Sequence, residues 1–328
     1  MSFLFLVVVF AAHLMCVNVA SAGPLVAAGL DWLEGRGSRL AGEAGRYLAA
    51  WAAALLLPGG MLGIVVGWHF WDDQYQQVLG RLSSKLHFGA WEIVFSLALM
   101  VAQVWWWRAR PNAKGWERRG RIFIAVLAST NLLYHFPTLF AVIETTSTSG
   151  ASGGEAITAR EFRSIIADQA ILSRVLHFVL AAVAMCGIML LGYALRLARR
   201  KADPADVQQV AAWGGQIALV PSLLQIPVGM WLTVSLPRTL QSAVTGADLL
   251  ATCLLISSVV LAIWMLQTLA AIAIGDTERS KLVRAMALMV VIITLMSGTL
   301  QRLRALSEAA HAEPAQQSRV TASFSLNA

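Results

Sequence analysis

The sequence predicts an all-α, polytopic transmembrane bundle of about eight helices with its N-terminus outside. Three observations carry this. Hydrophobic residues make up 58% of the 328-residue chain and charged residues only 13%, about half the soluble norm. The apolar residues gather into long runs, each at least about 20 residues, enough to cross a hydrocarbon core of roughly 30 Å. The basic residues concentrate in alternate connections between those runs. The mean hydropathy is +0.66 and the pI about 9.8. Because the positive charge clusters between apolar segments, topology accounts for it better than nucleic-acid binding does.

The spans run roughly over 3–31, 48–68, 86–107, 121–144, 171–196, 210–235, 247–274 and 282–301. The first contains a passable signal-peptidase box, Ala20-Ser21-Ala22. Its N-terminal flank lacks a positive charge and its apolar stretch continues to Leu30, so a retained helix is expected. The connection after it carries Arg36, Arg39 and Arg46. The third-to-fourth connection carries Arg108, Arg110, Lys114, Arg118, Arg119 and Arg121. Arg196, Arg199, Arg200 and Lys201 follow the fifth span, and Arg279, Lys281 and Arg284 follow the seventh. The positive-inside rule puts these four connections in the cytoplasm and both termini outside, with Arg302 and Arg304 as a dissenting pair. The segment 145–170, rich in Ser, Thr and Gly, reads as a flexible outer loop followed by a short amphipathic stretch with Arg160, Phe162, Arg163 and Ile166. The chain divides into a membrane domain, 1–304, and a polar tail, 305–328, expected to be disordered.

Five of the six histidines lie in or at the ends of apolar spans: His13, His69, His87, His135 and His177. Under this topology each falls in the outer half of the membrane. Ionisable side chains in lipid are costly and mark functional sites, and histidine is a common axial ligand of haem iron. The three cysteines, Cys16, Cys186 and Cys253, form no CxxC or CxxCH pattern. That argues against thioether-linked haem, an iron–sulfur cluster or a thiolate zinc site.

Arg174 precedes His177 by three residues, and Ala181, Gly187, Gly192 and Ala194 follow on the same span. Small residues let helices or flat groups approach closely, and an Arg one turn from a ligating His is placed to meet a haem propionate. A packing face with one interfacial His fits the same residues. The first span carries Phe10-Ala11-Ala12-His13-Leu14-Met15, and the third carries Phe88-Gly89-Ala90-Trp91-Glu92 and then Trp105-Trp106-Trp107.

Together these segments resemble the large subunit of cytochrome bd quinol oxidases. The fifth span is similar to that family's helix with a haem-ligating His, the first to its first helix, and the third to its acid-bearing helix. The bend from Trp32-Leu33-Glu34 through Arg39 into Trp51 and Gly63 resembles the connection after the family's first helix. The likeness covers residues 1–235. It implies b-type haem, two or more, with His13 and His177 as ligands of different haems. It further implies quinol as a partner, other respiratory subunits or an external cytochrome beside it, and a bacterial inner membrane around it. The chain departs from the family in its helix count, about eight against about nine. It has only about a dozen residues near 236–247 for the long external quinol loop. It lacks the G-R-Q-P-W signature, and it carries the single acid Glu92 in the third span. These departures count against oxygen reduction and against the family's standard quinol site.

His87 and His135 are candidates for a further bis-His pair, with hydrogen bonding at the interface as the alternative. Glu92 is a candidate proton-relay group or haem ligand, or a carboxyl satisfied by a neighbouring helix. In the sixth span, Pro221, Pro227 and Gly229 are expected to break the helix and open a cavity. Met230 is there a candidate axial ligand and Gln225 a candidate partner of a quinone or a propionate. The competing reading is a transporter or a structural membrane subunit without haem, in which the histidines titrate, bind metal or pack.

Overall fold

A computed structural model describes residues 2–111, 113–148 and 154–325. Among these it is helical throughout, with eight helices long and apolar enough to cross a membrane. They are α1 (Phe3–Gly35), α2 (Arg39–His69), α4 (Ser83–Ala109), α5 (Trp116–Thr148), α7 (Gln169–Arg199), α8 (Pro204–Val234), α10 (Leu249–Ala273) and α11 (Arg279–Ser325). Three short helices, α3 (Asp73–Arg81), α6 (Ala159–Ile166) and α9 (Arg238–Ser242), and a π-helical turn (Ala243–Ala247) complete the chain. All eight expected spans are present as helices: six lie within a longer helix, 210–235 runs one residue past the end of α8, and 247–274 is longer than α10 at both ends.

The ends follow local chemistry. Ser38 accepts a hydrogen bond from the Ala41 amide, Asp168 from Ala170 and Asp203 from Ala205, satisfying amides that the first turn leaves free. Pro204 stands in the first turn of α8, where its missing N–H costs nothing. In the π turn Gly246 takes φ +132°, a conformation that favours glycine, and lets Asp248 cap α10.

Consecutive spans run antiparallel, as their paired residues show. Gly23 meets Ala52 and Gly45 meets Leu30 across α1 and α2. Asp31 meets Arg121 across α1 and α5. Gly187 meets Gly214 and Ala218 across α7 and α8, Gly215 meets Ala273 across α8 and α10, and Arg302 meets Asp248 across α11 and α10. A Cβ on Gly187 would lie 2.5 Å from the Ala218 nitrogen, so this crossing needs glycine. The main core joins α1, α7, α8, α10 and α11 through Val19, Ala22, Ala182, Cys186, Leu191, Ala218, Leu269 and Ile292. A satellite cluster of Val78, Leu82, Val142, Ile157 and Ile171 binds α3 and the start of α7 to the end of α5.

Three features differ from the sequence reading. The α8 helix is unbroken from Pro204 to Val234, with Pro221 and Pro227 inside it. Each proline removes one helical donor, leaving the Ile217 and Leu223 carbonyls without their partners four residues on, while the flanking turns hold. The 236–247 connection is α9 and the π turn rather than open loop. Helical backbone continues to Ser325, so the boundary drawn at 304 does not coincide with a helix end. The amphipathic stretch forms α6, capped by Thr158. Within the expected flexible loop, residues 149–153 lie outside the described residues, as do 326–328 of the tail.

Candidate functional site

The antiparallel arrangement puts the four basic connections at one end of the bundle. His13 lies in the first third of α1, His177 in the first third of α7 and His87 near the start of α4. His69 closes α2, and His135 lies past the midpoint of α5. All five therefore stand in the half away from the basic connections.

His13 is fixed by α2. Its Nδ1 lies 2.8 Å from the Gly59 carbonyl oxygen. A carbonyl only accepts, so Nδ1 carries the proton and donates, and Nε2 keeps its lone pair. The Phe10 ring stacks on the imidazole at 6.1 Å between centroids. Gly63 leaves the space the ring occupies, since a Cβ there would fall 2.8 Å from His13 Cε1. A His ring oriented by a backbone carbonyl, with its other nitrogen free, is the usual arrangement of a metal-ligating histidine.

His177 is half-buried, and its buried Nδ1 has no hydrogen-bond partner. Gln225 on α8 donates from Nε2 to the His177 carbonyl at 3.4 Å, so these two candidates are neighbours. Arg174 reaches Glu144 on α5 at 2.9 Å, which ties α7 to α5 and gives the guanidinium a carboxylate of this chain. Met230 is 67% exposed and lies on the outer surface of α8, away from the packed interior.

Glu92 and His135 face each other across α4 and α5, with Oε1 of Glu92 3.1 Å from Nε2 of His135. The second carboxyl oxygen of Glu92 is buried without a partner. Asn131 braces the pair, donating from Nδ2 to the Glu92 carbonyl at 3.1 Å and to Ser96 Oγ at 2.7 Å. His87 turns back on its own helix, with Nδ1 2.8 Å from the Ser83 carbonyl oxygen, and it is exposed. The partner of the His135 imidazole is thus Glu92 rather than His87. The reason is helical phase: positions 87 and 92 point to different sides of α4, and 92 is the one that faces α5.

The sequence reading missed a polar seam. The buried face of α4 carries Gly89, Glu92, Ser96, Met100, Gln103 and Trp107, spaced three or four apart as one helical stripe. Gln103 is buried with both amide atoms unpartnered, and Asn18 Oδ1 on α1 is unpartnered as well. The Ser129 hydroxyl donates to the Ser21 carbonyl between α5 and α1. At the basic end the seam meets a buried charge cluster. Arg121 holds Asp31 with two bonds of 2.7 Å, and their side chains are 0% and 1% exposed. Arg118 adds a bond to Asp31 at 3.2 Å, and Arg46 reaches Glu34 at 3.1 Å. The Trp107 indole N–H donates to Glu34 at 3.3 Å, and the Arg121 guanidinium lies 4.4 Å from the centre of its ring. The spacing of Glu92, Ser96 and Gln103 was a legible signal for the seam. Asp31 and Arg121 gave none, because each stands at a span end where a solvated charge is ordinary.

No family model matches the chain, and no curated protein is similar enough to match it.

Proposed function

We propose that the chain is an integral membrane protein of b-type haem that passes electrons between quinol and a redox partner, in the manner of the cytochrome bd large subunit that its sequence resembles. The observation that carries this reading is the state of two histidines in the same half of the bundle. His13 has its tautomer set by Gly59, with Nε2 left unprotonated, and His177 holds a buried ring nitrogen with no partner. A buried polar atom without a partner is destabilising and calls for an explanation, and an iron ligand supplies one. These residues fit haem as axial donors, with Gly63 clearing room beside His13. Haem, when bound, supplies one-electron chemistry; the protein supplies the ligands and the low-dielectric surroundings.

In this reading Glu92 and His135 are a proton-holding pair. Their contact lets a proton pass between carboxyl and imidazole, and Asn131 and Ser96 hold the carboxyl's helix in place. Glu92 is the one acid in the spanning part of α4, so the reading stops short of an oxygen reductase. Quinone is assigned to the exposed face of α8 around Pro227. There the Leu223 carbonyl has lost its helical donor, and Gln225 lies between that face and His177. Arg174 reaches a propionate only by sharing its charge with Glu144. The bacterial inner membrane, respiratory partner subunits and an external cytochrome belong to the same proposal.

A second reading, a transporter without haem, is favoured by the polar seam from Glu92 to Asp31. One experiment separates the two. The protein is expressed with haem supply, purified, and assayed by its Soret band and pyridine haemochrome. Bound haem b whose spectrum changes in His13→Ala and in His177→Ala supports the proposal. Haem-free protein, or a spectrum unchanged in both variants, overturns it.

A further inference from the structure

At the basic end, α2 and α4 part to leave a cavity of about 220 Å³ lined by Arg46, Tyr47, Ala49, Ala50, Trp107 and Arg108. The lining is ordered by depth. The α2 helix starts at the basic end and α4 finishes there, so Arg46 and Arg108 stand nearer the interface. Ala49, Ala50 and Val104 continue the wall toward the hydrocarbon. Trp51 and Trp105, next in the chain to Ala50 and Val104 of the lower wall, are both exposed.

The charge of the region is unbalanced. Four arginines, Arg46, Arg108, Arg118 and Arg121, gather there against two inward-facing carboxylates, Asp31 and Glu34, while the third nearby acid, Glu43, is paired with Arg39 at 3.0 Å. Both carboxylates are committed inside the bundle, to Arg118, Arg121, Arg46 and the Trp107 indole. No acid lines the cavity, and Arg108 makes no ion pair among the described residues. Arg196 on α7 adds a further positive charge, 5.8 Å from the Tyr47 ring. The cavity thus offers guanidinium and phenol donors at its mouth and bare methyl groups below them.

We propose that this cavity binds the phosphate of an anionic phospholipid, with the acyl chains running down Ala49, Ala50 and Val104. Basic pockets between spanning helices recognise such headgroups through charge-assisted hydrogen bonds. The apolar lower wall is what separates a lipid from a free anion. Phosphate alone would use Arg46 and Arg108 and gain nothing from the alanines.

The test is native mass spectrometry of the full-length protein in detergent, with phosphatidylglycerol, phosphatidylcholine or inorganic phosphate added. Phosphatidylglycerol should remain bound at activation energies that strip phosphatidylcholine. Arg108→Gln, at an exposed residue without an ion pair, should weaken that binding about fivefold, the worth of one interfacial basic residue. Ala50→Phe, which fills the lower wall, should weaken it as well, while size-exclusion elution shows both variants folded. Equal retention of the two lipids overturns the proposal. So does phosphatidylglycerol binding unchanged in both variants, and so does its displacement by millimolar inorganic phosphate, which would mark a site for soluble anions.

Discussion

Asp31 and Arg121 show what one pair of residues does in an apolar bundle. Each charge is desolvated, so each is tolerable only with the other in place; the bidentate bond, with Arg118 and the Arg110 carbonyl beside it, satisfies most of their hydrogen-bonding groups. Removing one partner strands the other, which costs about 3–5 kcal/mol for a buried pair. Asp31→Leu should therefore lower the unfolding midpoint in detergent sharply. The double variant Asp31→Leu with Arg121→Leu should lose less than the two single losses added together. Strict additivity in that double-mutant cycle would show that the two groups do not interact. None of this is legible in the sequence, where Arg121 reads as one of six basic residues in a connection. What buries it is the approach of α1, α4 and α5, a tertiary fact with no local trace. His13 is the opposite case. Its place in an apolar run marks it, and what the sequence does not show is which ring nitrogen the Gly59 carbonyl holds. Gly63→Val should push the imidazole off its seat and change any haem spectrum as His13→Ala does. A spectrum untouched by Gly63→Val would mean that His13 tolerates displacement and is no ligand.

Among the elements, α7 and α8 show how much the pattern of residues determines. Their lengths follow from the apolar runs and their caps from Asp168 and Asp203. Their close crossing follows from Gly187, Gly214 and Ala218. Gly187→Val should destabilise the protein by about 1–3 kcal/mol through overpacking, read as a lower midpoint of thermal unfolding in detergent. An unchanged midpoint would mean that the helices can separate freely there. The prolines of α8 misled because a proline in a long helix loses one bond and not the helix, provided neighbours hold the turns on either side. The short α3 and α9 went unseen since neither has the length for an apolar period to emerge. Between α10 and α11 the end is tied by Arg302, whose guanidinium bonds hold the Asp248 carboxyl below the usual carboxylate range, with help from the Ala251 amide. A depressed carboxyl stabilises the fold above its unfolded pKa and loses that contribution as pH falls through the folded one. Wild type and Asp248→Asn should therefore differ in thermal stability at neutral pH and converge in acid, below the usual carboxylate range. A difference that persists there would assign the effect to capping alone.

For the whole molecule, the eight spans and their alternation were legible because lipid leaves a helix few compositions to choose from. The orientation is a prediction still to be measured, and the fold sharpens it. At the end away from the basic connections four arginines are matched by acids, Arg81 with Glu161, Arg174 with Glu144, Arg302 with Asp248 and Arg304 with Glu308, while Arg160, Arg163 and Arg238 have no such partner among the described residues. At the basic end Arg108, Arg199 and Arg200 have no such partner among the described residues. The rule counts Lys and Arg near the span ends and gives Asp and Glu little weight, so the larger number of basic residues in the four connections favours placing these inside. Two exposed positions read the outcome: Thr239 in α9, and Ala205 in the first turn of α8 at the other end. In a background with Cys16, Cys186 and Cys253 replaced by Ala, Thr239→Cys should react with a membrane-impermeant maleimide in intact cells. Ala205→Cys should react only after the membrane is opened. The reverse pattern would put the histidine-bearing half on the cytoplasmic side. Haem in that half would then exchange electrons with a cytoplasmic partner, and the assignment of an external one would fall with the orientation.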